Sequence, residues 1–445
     1  MGLLKHAGAA SAAIFTWLAG CVLLKYGDRV RYAPNRVLIN TPGGLRDIYG
    51  HGSHVRKYAG YQALSSQAAN TLTMSDKVQH AHRRRIISQA FSENSLRKLE
   101  PVIQSRIERF FTHLAFDLMT AVTFGAEYRT MEEPQFRYVV EAIEKSNVRL
   151  GVLMQASELT FGGLDRKLFS NAAKAGARFV KFLRKLLQLR LQQEPADSVK
   201  DIFSFLQQFE DPDTGEGLSP MEISTETATF IVAGSDTTST TMASLSHYLT
   251  WSPRCYKRAV EEVRTTFSSA DEIAFGAKLN SCVFLRACLD EALRITPPGG
   301  GPLWRVVELG GTRIDGEYLP AGCEVGSGIY AMHRSPRNWP NPGNYMPERW
   351  LENKEKDKSE NQKNKNARQP YFPFNIGPRS CVGKPLALAQ VMLTFAHILW
   401  EFDLRRAKAG ELWLETDDTE PPEYMLQDHV TGQKEGPVLH FRPRF

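Results

Sequence analysis

The hydrophobic pattern divides the chain into one continuous apolar run and a long succession of segments with helical or alternating periodicity. Residues Ala7–Leu24 carry no charge, with Lys5 and His6 before them and Lys25, Arg29 and Arg31 after. Such a run reaches the low end of the ~17–25 residues needed to span a bilayer. It is expected to be an N-terminal membrane anchor, residues 1–25, followed by one large domain, residues 26–445. Two alternatives stand beside it, a buried N-terminal helix and a signal peptide, since Ala and Gly near its end resemble a cleavage site. Positive charge after the run predicts that the domain stays on the cytoplasmic side.

Val30–Tyr32 and Val37–Asn40 are β-rich runs on either side of Pro34-Asn35, which predicts a hairpin. Helical patterns then dominate, including an amphipathic helix entered from the basic stretch His80–Phe91 and mixed-charge helices from about Pro134 to Gln193. Asp211–Gly217 is a turn cluster. Ser219-Pro220-Met221-Glu222 has the order of a helix start: N-cap serine, proline in the first turn, glutamate at the capping-box position. The helix it opens runs to about Leu249, about 45 Å at 1.5 Å per residue. Cys282–Ile295 is a further helix, Arg313–Ile329 reads as strands and turns, and Val438–Arg442 as a strand of a small sheet. Glu352–Arg368 lacks apolar residues and is expected to be a solvated loop. The class is therefore mainly α with small β-sheets (α+β).

Composition narrows the picture modestly. With 445 residues and 42% hydrophobic residues the chain can bury a sizeable core, and a net charge of +6 does not suggest nucleic-acid binding. Its 6 cysteines show no paired spacing, which fits a reducing, cytosol-facing location rather than a disulfide framework.

Two stretches carry candidate chemistry. Inside the long helix, Ala233-Gly234-Ser235-Asp236-Thr237-Thr238 is a poor helical choice. Mid-helix Gly costs about 1 kcal/mol relative to Ala, and Thr can bond back to the preceding turn and bend the helix. A plain kink is one reading, a functional groove the other. The second stretch is Phe374-Asn-Ile-Gly377-Pro-Arg379-Ser-Cys381-Val-Gly383, running into an apolar helix. Gly377 and Gly383 are read as permitting backbone angles closed to other residues. A helix N-terminus lowers a thiol's pKa and suits a thiolate metal ligand. A cysteine taken alone is more often a buried free thiol.

The residues around Cys381 change that reading. Their order resembles the haem-binding loop of the cytochrome P450 superfamily, with Phe374, Gly377, Arg379, Cys381 and Gly383 all in register. Other motifs follow the family's order. The hexapeptide at Ala233–Thr238 resembles its distal-helix motif, and Glu291-Ala-Leu-Arg294 with Pro347-Glu348-Arg349-Trp350 resembles its Glu–Arg–Arg triad. The match covers roughly Gly27 to Arg444, and its texture is most similar to fungal membrane-bound members of secondary metabolism. The resemblance implies haem b between a long kinked distal helix and the proximal Cys loop, with Cys381 as axial iron ligand. Phe374 would pack by the proximal face. Arg379, Arg305, Arg84 and His80 would meet the haem propionates, His80 standing where relatives have Trp. Thr237 and Asp236 would handle dioxygen and protons, Glu291, Arg294 and Arg349 would lock the proximal core, and Gly299–Leu303 would face substrate.

The implied activity is a monooxygenase reaction on an apolar small molecule, with O2 as co-substrate and electrons from NADPH. No dinucleotide fingerprint of the G-x-G-x-x-G type is apparent. The electrons would therefore come through NADPH–cytochrome P450 reductase, docked on basic residues such as Arg83, Arg85 and Lys384. Relatives are mostly monomers on the endoplasmic reticulum, single-pass, with the catalytic domain facing the cytosol. An isomerase or dehydratase is the alternative, disfavoured by the Asp236/Thr237 pair, and a shortened, inactive haem binder is another. Its motive is two departures: the apolar run leads directly into Tyr26-Gly27, and a stretch that relatives use to complete a helix pair is missing between Phe111 and His113. Gln390 also stands where many relatives have Glu.

Overall fold

The computed structural model describes residues 27–65, 68–104, 111–192, 201–351, 370–406 and 421–445. The expected anchor and the expected solvated loop at Glu352–Arg368 lie outside these residues. Among the described residues no helix is long and apolar enough to cross a membrane.

The expected hairpin forms from β1 (Arg29–Ala33) and β2 (Arg36–Ile39), turning at Pro34-Asn35. With β3 (Val55–Lys57), β4 (Arg305–Val307) and β7 (Glu324–Gly326) it makes a five-stranded sheet in the order β1-β2-β7-β4-β3. The β2–β7 pair is parallel, and β4 runs antiparallel to both β7 and β3. Two-stranded ribbons come from β5 (Thr312–Ile314) with β6 (Glu317–Leu319), β8 (Phe402–Arg406) with β11 (Leu439–Pro443), and β9 (Leu426–Asp428) with β10 (Gly432–Lys434).

Helices supply the larger layer: α1 (Pro42–Tyr49), α2 (Lys77–Ala90), α3 (Glu93–Gln104), α4 (Phe111–Phe124), α5 (Arg137–Gln155), α6 (Ser170–Leu191), α7 (Pro220–Trp251), α8 (Pro253–Thr266), α9 (Val283–Ile295) and α10 (Lys384–Glu401). The Phe111–His113 junction lies within α4. The capping box is present at the start of α7, and the helix continues to Trp251 without a break at the Gly234 hexapeptide. Burial explains why poor propensity is tolerated there, since Thr238 to Thr250 are buried without interruption. Each fully buried Leu or Phe contributes roughly 1.5–3 kcal/mol, which outweighs the propensity cost of one glycine. Helix α7 packs on α4, α9 and α10, and α10 packs on α8. Phe116, Leu245, Leu289 and Phe395 sit in the resulting core. A second core beneath the sheet joins Ile39, Ile48, Val325 and Phe372.

Candidate active site

The Cys loop is held from two sides. Its backbone turns at Gly377, where φ is +69° and an added Cβ would lie 2.1 Å from the Tyr49 carbonyl oxygen of α1. Only glycine suits that pairing of left-handed geometry and close approach. Gly383 differs from the sequence expectation. Its φ is −79°, an ordinary value, and an added Cβ would sit 3.9 Å from Cys381 Sγ. Its smallness keeps the surroundings of the sulfur open.

The Cys381 N–H donates to the Phe374 carbonyl at 2.8 Å, closing the loop below the thiol. The side chain is reachable by solvent, yet surrounding protein atoms push its pKa up. The N–H groups of Gly383 and Lys384 and the Arg84 charge pull in the opposite direction but do not win. The sequence expectation of a thiol lowered by the helix N-terminus is thus corrected: desolvation dominates.

On the opposing side, Ala233 is exposed midway along α7, between the buried Ile231 and Ser235. Thr237 Oγ1 donates to the Ala233 carbonyl at 2.6 Å, the back-bond expected of this motif. Gly234 has a packing role the sequence did not show: an added Cβ would lie 2.5 Å from Met119 Sδ on α4. One aromatic ring bridges α7 and the Cys loop at this edge. Phe91 packs edge-on to Phe230 of α7 with centroids 5.2 Å apart, and its Cε1 lies 4.0 Å from where a Gly383 Cβ would be.

Cations converge beside the loop. Arg84 Nη1 donates to the Ser380 carbonyl at 2.6 Å. Arg379 donates to the carbonyls of Met74 at 2.7 Å, Ser75 at 3.2 Å and Asp76 at 3.3 Å. Arg305, buried on β4, donates to the Trp304 carbonyl at 2.9 Å and lies over the Tyr49 ring. Across from it on β3 stands Lys57, buried and bonded to the Thr71 and Leu72 carbonyls. Among the described residues none of these four forms an ion pair with a carboxylate. Burial, then Arg305 and Arg379, hold the Lys57 pKa well below its usual value. Burial and Arg305 lower Arg379 to about 10. His80, also buried, is brought down to about 3 by burial and by Arg379, Lys57, Arg84 and Arg305. A buried charge without a counter-ion costs several kcal/mol, so this cluster is built for anions that sit against it.

A buried triad supports the loop from behind. Glu291 is wholly inaccessible and accepts from Arg294 Nε and Nη2, both at 2.9 Å, and from Arg349 Nε at 2.9 Å. Trp350 Nε1 joins at 2.9 Å, a partner the motif did not reveal. Arg294 Nη1 donates to the His333 carbonyl at 2.8 Å, and the His333 ring accepts from the Phe372 N–H at 3.0 Å, at the head of the Cys loop.

The family model for cytochrome P450 matches residues 35–427. The chain is a cytochrome P450. It is 56% identical over 338 residues to cytochrome P450 monooxygenase lcsN of Purpureocillium lilacinum, covering 76% of this chain and 99% of that one. Cytochrome P450 monooxygenase poxM of Penicillium oxalicum is 41% identical over 442 residues, 94% of this chain and 83% of its own. In fold it is similar to the haem domain of cytochrome P450DA, with a TM-score of 0.72 at 18% identity, over 94% of this chain and 90% of the other.

Membership makes this P450 a monooxygenase with a haem-thiolate iron cofactor. The residues present suit that group: one accessible thiol, and beside it cations that among the described residues have no carboxylate partner. Lys57 is the member of that cluster that sequence reasoning missed. The only signal for it was strand pairing, which brings position 57 opposite position 305. Of the expected reductase-docking residues, Arg83 needs correction. Arg83 is buried and bound to Glu222 and Glu226. Arg85 is clamped on Asp211 at 2.8 and 2.6 Å. Lys384 stays exposed, its ammonium 5.7 Å from the Phe374 ring centroid.

Proposed function

We propose that this P450 inserts one oxygen atom of O2 into a C–H bond of an apolar small molecule in fungal secondary metabolism. Electrons come from NADPH through a membrane-bound reductase. The anchor at residues 1–25 tethers the catalytic domain, residues 26–445, to the endoplasmic reticulum on its cytosolic side. The observation that carries the reading is the Cys381 thiol, accessible within the protein and flanked by Lys57, His80, Arg84, Arg305 and Arg379.

Haem, when bound, supplies the iron at which dioxygen is activated. Cys381 would be its protein ligand, with the N–H groups of Gly383 and Lys384 directed at the sulfur to tune its donor strength. Arg84, Arg305 and Arg379 would hold its carboxylates, joined by Lys57 and by His80 as a neutral donor. Phe374 and Gly377 fix the loop, and Glu291, Arg294 and Arg349 keep it from relaxing. On α7, the Thr237 hydroxyl, whose proton goes to the Ala233 carbonyl, keeps its oxygen lone pairs free to accept a hydrogen bond, and the Asp236 carboxyl would hold and release protons.

The isomerase reading has less support, because both members of the Asp236/Thr237 pair are present. NADPH-dependent turnover tests the choice. The reduced carbon monoxide complex of the expressed chain is expected to show the long-wavelength thiolate band, which Cys381→Ser abolishes together with activity. Full activity in that variant would overturn the assignment.

A further inference from the structure

Asp236 faces away from bulk solvent, and its carboxylate is gripped from behind α7. Oδ2 accepts from Asn147 Nδ2 of α5 at 2.8 Å and from Thr431 Oγ1. Lys434 of β10 places Nζ 3.8 Å from Oδ1, while donating to Ser239 Oγ at 2.7 Å. The Lys434 side chain is only 7% exposed and that of Asp236 9%. A shift of about 1 Å brings the ammonium into hydrogen-bond range of the carboxylate.

The same lysine reaches a cavity of about 580 Å³ on the far side of the network, walled by α5, α7 and the C-terminal ribbons. Its titratable and charged lining groups are His113, Arg137, Glu141, Glu144 and Lys434. On α5 the residues Arg137, Glu141, Glu144 and Asn147 follow at helical spacing of three and four, so one stripe of that helix leads from the cavity to the Asp236 carboxylate. His113 Nδ1 is buried there, with no hydrogen-bond partner among the described residues.

We propose that protons reach Asp236 from this cavity, with Lys434 as the donor between cavity and carboxylate and Glu144 as the group that recharges it. The inference rests on the proton-handling role given to Asp236 above. The Lys434 ammonium transfers a proton to Asp236 Oδ1, leaving a neutral amine and a carboxylic acid. Glu144 then protonates the amine, and water in the cavity restores the Glu144 proton. No electron moves, and the net result is one proton carried from solvent to Asp236. Burial moves the two intermediate groups toward each other, lowering the Lys434 ammonium and raising the Glu144 carboxyl, which keeps exchange between them easy.

The experiment uses the haem-loaded full chain as its carbon monoxide complex, with D2O as the probe. Infrared spectra at acid pH report the Asp236 carboxylic-acid C=O band, identified by its loss in Asp236→Asn. On rapid transfer into D2O, the isotope shift of that band is expected to be at least ~10-fold slower in Lys434→Arg, because Arg keeps the charge but does not release a proton. Glu144→Gln, at the cavity wall, is expected to slow it as well, and decides the matter where the Lys434 variant does not load haem. Parent-like exchange in both overturns the proposal. Peroxide released per NADPH is measured beside it: an Asp236→Asn variant no more wasteful than the parent removes instead the role assigned to Asp236.

Discussion

Lys57 stands directly opposite Arg305 across the antiparallel β3–β4 pair, and both side chains are buried. Like charges so placed are destabilising, and among the described residues neither forms an ion pair with a carboxylate: Arg305 donates to the Leu303 and Trp304 carbonyls, Lys57 to those of Thr71 and Leu72. The strain is resolved when an anion lies between them.

Replacing Lys57 by Met should therefore act in opposite directions on the two forms of the protein. In the haem-free chain it removes a repulsion of a few tenths to ~1 kcal/mol, so the thermal midpoint is expected to stay or rise. In the loaded chain it removes a charge-assisted bond worth ~1.5–3 kcal/mol, or ~10- to 150-fold in haem affinity. Haem transfer to apomyoglobin measures the second effect; unchanged retention would remove Lys57 from the site.

The triad makes a separate prediction. Glu291→Ala leaves Arg294, wholly buried, without its counter-ion, a loss expected to cost ~3–5 kcal/mol. Arg349→Ala should cost less, since its side chain is 12% exposed and the Glu291–Arg294 pair survives. Urea midpoints of the haem-loaded forms check the order, and equal midpoints for the two variants would contradict it.

Gly377 and Gly383 look alike in sequence but should respond differently to Ala. At Gly377 the added methyl meets the Tyr49 carbonyl at 2.1 Å in a left-handed conformation, with strain alone of ~1–3 kcal/mol, so haem loading is expected to fail. At Gly383 the backbone accepts Ala without strain, so loading should persist, with any change confined to the Soret position.

Acid sensitivity should come in part from His333. Burial, with Arg294 beside it, lowers its pKa to about 3, below an unfolded value of ~6.5. The folded state thus binds fewer protons than the unfolded chain between those values. The stability this site contributes is full above pH ~6.5 and is lost as pH falls toward 3, by at most ~1.4 kcal/mol per pH unit. His333→Gln keeps an acceptor for the Phe372 N–H and should flatten the acid limb of the stability–pH curve; an unchanged slope would argue against it.

What the sequence by itself determined was local and repetitive: the β1–β2 hairpin, the capped α7, the α9 helix and the Cys loop with its glycines. Each is written in contiguous residues, through periodicity, capping or turn chemistry, and the spaced motifs were specific enough to imply the family. The tertiary structure decided what depends on distant residues meeting. Lys57 joins the cation cluster only because β3 pairs with β4, and Trp350 enters the triad only because its turn closes on α9. The same holds for Arg83 and Arg85, which read as free surface charge until Glu222, Glu226 and Asp211 were folded against them. Gly383 carried no signal of its ordinary φ, since glycine permits both signs. The cavity behind Asp236 was invisible for the same reason: α5, α7 and the β10 ribbon lie far apart along the chain, and a space has no residues of its own.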